Sequence, residues 1–272
     1  MLAVLSPAKT LDFSPAPAGL PVTVPERLDE SAEIIAALRK LSAAKLAKLM
    51  DISPKLAELN TARHDAWSPD FPRESSKPAL LAFDGDVYQG FDFELWRKAD
   101  FVHAQRHLRI LSGLHGLLRP LDLIQAYRLE MGTPLKIGRA RDLYAYWGDK
   151  ITLALNDALS AAGSDTLVNL ASEEYFGAVR PEKLTARVVQ CVFKDESNGA
   201  WKILSFFAKR ARGMMADFIV RERLTDPRQL RQFDAGGYRF QEKSSSEATL
   251  VFHRPTSARP RPATKGARPA RA

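Results

Sequence analysis

The chain has 272 residues, of which 26% are charged and 45% hydrophobic, with a single cysteine. That length suits one large domain with a substantial core. The lone Cys191 excludes an internal disulfide framework and fits a reducing compartment. The N-terminus lacks a basic segment followed by a long apolar stretch, and no apolar run is long enough to span a bilayer, so the expectation is a cytoplasmic protein with no membrane partner. The net charge is +8, but residues 255–272 carry five cations and no acid, so the remainder is only near +3. That Ala/Pro/Arg-rich end is expected to be a disordered basic tail, either solubilising or phosphate-seeking. Residues 1–254 are expected to form the folded domain.

In chain order, residues 1–5 are a short continuous apolar run and predict a buried strand, stopped by Pro7. Residues 14–25 are proline-rich and predict a surface loop. Residues 26–50 show apolar positions near helical spacing. Ser53 followed by Pro54 predicts the cap and first turn of a second helix reaching Trp67. Residues 79–83 predict a second buried strand, and 91–111 mainly helix. Residues 142–161 predict a helix ended by Gly163, and 166–170 a strand. Residues 186–193 and 200–208 are β-rich and predict a hairpin with a longer loop between them. A helix over 209–224 and a short one over 226–233 follow, then closing strands over 238–241 and 249–253. The fold class is α+β: a single domain with a mixed central β-sheet flanked by helices.

Several motifs fall at element ends. They are Ser6-Pro7-Ala8-Lys9-Thr10, Asp84-Gly85-Asp86-Val87-Tyr88, Leu111-Ser112-Gly113-Leu114-His115-Gly116, Tyr127-Arg128-Leu129-Glu130-Met131-Gly132, Asn169-Leu170-Ala171-Ser172-Glu173-Glu174-Tyr175-Phe176 and Ser205-Phe206-Phe207-Ala208-Lys209-Arg210-Ala211-Arg212-Gly213. In this order they resemble the peroxide stress protein YaaA family, from Met1 to about Arg254. Each motif is modest alone; six in one order are specific. The resemblance implies a cytoplasmic bacterial protein that limits free intracellular iron under hydrogen peroxide. It also implies a mixed α/β domain that binds DNA through a helix-hairpin-helix-like element. It attaches no catalytic activity.

The candidate site residues divide into two groups. For DNA, the glycine turn Gly113, His115 and Gly116, followed by Arg119, offers backbone amides to a phosphate. The alternative reading is a tight turn between helix and strand, because the spacing is Gly-x-x-Gly. Lys209, Arg210 and Arg212, read at the start of a helix, oppose the helix macrodipole and invite an anion. Lys9 at the strand end is an anion-facing cation. The Lys-Thr ending lacks the glycines of a phosphate-binding loop, which rejects a nucleotide site of that kind. With no base-reading helix pattern, DNA is expected to be recognised by shape.

The second reading is an enzyme that holds an anionic small molecule around Lys9, in a pocket built from Ser6, Thr10, Asp86, Tyr88, Arg128, Glu130 and Glu173. Arg128 and Glu130 either pair with each other or line that pocket. His103 and His107 stand four apart on a helix, but no acid completes a ligand set, so neither a metal nor another cofactor is expected. Cys191 reads as a small core residue rather than a reactive thiol. Protein partners are left open.

Overall fold

The computed structural model describes residues 1–259. Among them the strands are β1 (Leu2–Leu5), β2 (Thr10–Leu11), β3 (Ser76–Pro78), β4 (Phe83–Asp84), β5 (Leu108–Ser112), β6 (Gly116–Leu118), β7 (Leu123–Gln125), β8 (Thr166–Leu170), β9 (Arg187–Ser197), β10 (Ala200–Lys202), β11 (Arg239–Phe240) and β12 (Thr249–Arg254). The helices are α1 (Leu28–Leu38), α2 (Ala43–Met50), α3 (Pro54–Ala66), α4 (Ala79–Ala82), α5 (Lys98–His107), α6 (Leu143–Trp147), α7 (Lys150–Ala161), α8 (Glu173–Phe176) and α9 (Ser205–Arg221), with short 3₁₀ turns between.

The main sheet runs β11-β12-β9-β8-β1-β5-β6, with β10 added to β9. Strands β12, β9, β8, β1 and β5 are mutually parallel, and the antiparallel β11 and β6 close its two edges. The fold is therefore α+β with a mixed sheet. Each residue of β1, β5 and β8 is buried, as expected for parallel strands covered on both faces. One continuous apolar core joins the sheet to the helices, which makes this a single domain.

The strand order contains a reversal. From β1 the chain proceeds to β5 on one side; after returning to β8 on the other side of β1, it continues outward to β9 and β12. In open sheets, connections that leave neighbouring strands in opposite directions open a crevice at the carboxyl ends of those strands. Here that switch point lies between β1 and β8.

Several elements differ from the sequence expectation for local reasons. The expected helix over 26–50 breaks at residues 39–42, where the Ser42 hydroxyl accepts from the Lys45 amide and caps α2. Residues 79–83 begin as the short helix α4. In the stretch 91–111, residues 93–95 form a 3₁₀ turn and only 98–107 are α-helical; the apolar run 108–112 pairs with β1 instead. The hairpin after β9 turns on two residues, Asn198 and Gly199, at φ 52° and 70°. An Asn-Gly pair of this kind is a strong signal for a two-residue turn. Helix α9 starts at Ser205, with Phe206 and Phe207 inside it rather than in a strand.

Of the expected tail, residues 255–259 pack on the domain. Residues 256–258 form a 3₁₀ turn, and the Arg259 guanidinium lies 3.5 Å from the buried Asp195 carboxylate. The rest of that expectation lies outside the described residues.

Candidate ligand crevice and basic hairpin

The loop after β1 and the loop after β8 are stitched together at the switch point. The Ser172 amide donates to Ser6 Oγ at 2.8 Å, and Ser6 Oγ donates to Ser172 Oγ at 3.2 Å. Beneath them Tyr88 donates its hydroxyl to the Ser6 carbonyl at 3.0 Å. Burial raises the Tyr88 pKa well above the ordinary phenol value. Tyr88 is thus a neutral strut under the loop rather than a lining residue. Strand β2 pairs with β4, setting Thr10 opposite Asp84.

Helix α9 closes the other wall, held by a glycine pair. A Cβ on Gly213 would stand 1.7 Å from the Val87 carbonyl oxygen, and one on Gly90 would stand 2.4 Å from that of Arg210. Only two glycines allow the helix and the 84–90 turn to approach this closely. The contact places Lys209 4.0 Å from Asp86.

The result is a cavity of about 380 Å³ lined by Ser6, Lys9, Thr10, Asp86, Lys209 and Arg212, together with Ser172, Glu174 and Tyr175. Lys9 is 66% exposed and lies 3.2 Å from Glu130. Arg128 and Glu130 form an ion pair at 2.9 Å; they are in irregular backbone rather than a strand, and line a small adjoining cavity that also touches Lys9. The crevice is therefore of mixed charge, with two lysines and an arginine facing Asp84, Asp86 and Glu174.

Other candidates lie elsewhere. Glu173 is exposed and lines a separate cavity with Arg212. Arg210 is exposed and lines neither cavity. Lys209, Arg210 and Arg212 stand in the second turn of α9 and beyond, so the expectation of three cations at a helix start is corrected. The apolar Phe206 and Phe207 continue the helix backward from them.

The glycine turn 113–116 also requires a correction. It joins strands β5 and β6 rather than two helices, and Gly113, His115 and Gly116 are buried. The Trp147 indole donates to the Gly113 carbonyl at 3.0 Å, and Ser31 Oγ lies 2.9 Å from His115 Nδ1. Burial pushes the His115 pKa down to about 3, so the ring is neutral. The His115 amide donates to Ser112 Oγ at 3.0 Å. Arg119 is committed to Asp122 at 2.8 Å and to Glu26 at 2.9 Å.

Helices α2 and α3 are joined by the three-residue turn 51–53. Asp51 ends α2 at φ 50°, Ile52 follows, and the Ser53 hydroxyl accepts from the Leu56 amide to cap α3, whose first residue is Pro54. Asp51, Ser53, Pro54 and Lys55 are exposed, and so are Lys45 and Lys48 on α2. The Ser-Pro start of α3 is legible in the sequence. The left-handed Asp51 is less so, because this conformation is usually taken by glycine.

The comparison with known families is decisive about kinship: the model of the peroxide stress protein YaaA family matches residues 1–244. The chain belongs to that family. The match covers both features of this YaaA-family protein, the crevice at the switch point and the α2–α3 hairpin. No helix among the described residues is long and apolar enough to cross a membrane, and no group of three or more His, Cys, Asp or Glu side chains there is arranged to hold a metal ion. His103 and His107 stack with ring centroids 4.2 Å apart, and burial lowers the pKa of both. The buried Cys191 thiol is pushed up to about 12 by desolvation, which makes it a poor nucleophile.

Proposed function

We propose that this peroxide stress protein acts in the cytoplasm on DNA, binding backbone phosphates by shape, and that its protective effect is to limit free intracellular iron. The observation that carries the DNA reading is the α2–α3 hairpin. Its exposed turn leads into the amino end of a 13-residue helix, where the helix dipole favours an anion. Lys45, Lys48 and Lys55 are exposed around it. Such contacts grip phosphate without reading bases. Reversing two of these charges, Lys48→Glu with Lys55→Glu, is expected to lower duplex affinity at least about tenfold at low salt and to flatten its salt dependence. Bent, branched and linear duplexes of shuffled sequence test shape recognition. Unchanged affinity in the double variant, or preference for one linear sequence over all shapes, overturns the reading.

A second reading is favoured by the crevice: an enzyme that takes an anionic small molecule. The support is that Lys9, Lys209 and Arg212 converge on one cavity at the topological switch point. Lys9→Arg separates the two readings, because arginine keeps the charge but is bulkier and fork-shaped. Normal DNA affinity with peroxide survival as poor as that of Lys9→Ala favours the pocket. Normal survival of Lys9→Arg removes it.

A further inference from the structure

Helix α9 stands between the crevice and a second cavity of about 580 Å³. This chamber lies over the end of β8 and the middle of β9, beside the segment that follows α8. Its wall is mainly apolar, with Phe176, Val179, Phe193 and Ile203 contributing. Its polar groups are few. Asn169 Nδ2 donates to Gln190 Oε1 at 2.7 Å, so those two amides largely satisfy each other. The charged residues are Glu173 and Arg212, and Arg212 alone is shared between the chamber and the crevice.

Arg212 is half-buried and its Nε is enclosed without a hydrogen-bond partner. Arginine stays protonated in proteins. A desolvated cation with an unmet donor is costly unless an anion meets it. Glu173 acts on the guanidinium only through space, and burial outweighs it in lowering the Arg212 pKa. The rim of the chamber is apolar and open to solvent at Ile203, which is 58% exposed.

We infer that this chamber binds a monoanionic organic acid, with its carboxylate on Arg212 and its apolar body against Phe176, Val179, Phe193 and Ile203. The size of the chamber suits a compound such as a medium-chain or aromatic carboxylate. The Glu173 carboxylate in the same wall disfavours a dianionic head, which selects a carboxylate over a phosphate monoester. This site is separate from the Lys9 crevice reading, since Lys9 does not line the chamber.

The test uses the full chain with 8-anilino-1-naphthalenesulfonate as a fluorescent anionic probe at physiological ionic strength. Octanoate is expected to displace the probe at concentrations at least about tenfold lower than either octan-1-ol, which lacks the charge, or acetate, which lacks the body; tenfold corresponds to about 1.4 kcal/mol. Arg212→Met keeps the stem and removes the charge, and should raise the half-displacing octanoate concentration at least tenfold. Ile203→Glu places a like charge at the exposed rim and should do the same without disturbing the core. Lys9→Ala should leave displacement within twofold. The proposal is overturned if the probe does not bind saturably, if octan-1-ol competes as well as octanoate, or if both variants behave like the parent. If circular dichroism shows that Arg212→Met is unfolded, Ile203→Glu alone decides. A loss in Lys9→Ala equal to that in Arg212→Met places the anion in the crevice and overturns the chamber.

Discussion

Strands β1 and β5 are neighbours in one sheet, and their carboxyl ends have opposite fates. After β1 the chain opens into a crevice where the Lys9 side chain is 66% exposed. After β5 it folds straight back as β6, and the turn between them is sealed: Leu114 and His115 are fully buried, and Trp147 covers the glycines. Both segments are short, polar and glycine- or proline-bearing. What separates them is direction. The chain leaving β1 runs through β2–β4 and α1–α5 before it rejoins the sheet as β5, whereas the chain leaving β5 folds back on it as β6 and is then covered by α7. A polar motif at a strand end becomes a site only where the topology leaves that end uncovered.

The sharpest way to break this contrast is at Gly116. Its φ is 68°, and a Cβ there would stand 2.7 Å from the Trp147 ring. Gly116→Ala is expected to cost about 3 kcal/mol or more, from the left-handed conformation together with overpacking. The urea midpoint measures it. Ligand or DNA binding per folded molecule should stay unchanged, because Gly116 packs on Trp147 and lines neither feature; a binding loss without a stability loss would return the turn to the functional surface.

A smaller effect comes from His115. Its folded pKa is depressed to about 3, against about 6.5 in the unfolded chain. Below pH 6.5 the unfolded state takes up a proton that the folded state refuses, so stability falls as pH drops from about 6.5 toward 3. The loss is about 2 kcal/mol at pH 5, at roughly 1.4 kcal/mol per pH unit. His64 and His103, both lowered to about 4 mainly by burial, push in the same direction. His115→Gln should therefore lose less stability than the parent between pH 7 and 5. Equal losses in urea titrations at the two pH values would show that the sealed turn does not hold a neutral imidazole.

The smallest effect sharpens the open side. Lys9→Ala removes a cation whose side chain is 66% exposed and leaves Glu130 paired with Arg128, so the loss is at most about 1 kcal/mol. Its urea midpoint should barely move. A large destabilisation would mean that Lys9 is part of the scaffold, and the crevice would lose its most accessible cation.

Legibility in the sequence followed how local each signal was. The apolar runs 1–5 and 166–170 formed strands, and Ser53-Pro54 opened a helix, because the determinants lie within a few residues. Residues 108–111 close the stretch expected to be mainly helix. Pairing with β1 overrides that expectation. The Arg128–Glu130 pair was visible as an alternative, but the convergence of Glu130 on Lys9 was not, since the two are 121 positions apart. Gly213 closes a motif whose cations carry the sequence expectation, and its own role is packing against Val87.

By itself the sequence determined the kinship, the α+β class, the buried central strands and the polar loops at their ends. These follow from residue order, apolar periodicity and turn chemistry, all of which act over a few residues. The tertiary structure decided which strand end stays open, which cations share a cavity and which glycine turn is buried. Those outcomes depend on strand order and on how closely α9 approaches the 84–90 turn. Both are set by contacts between residues far apart in the chain, which no local pattern encodes.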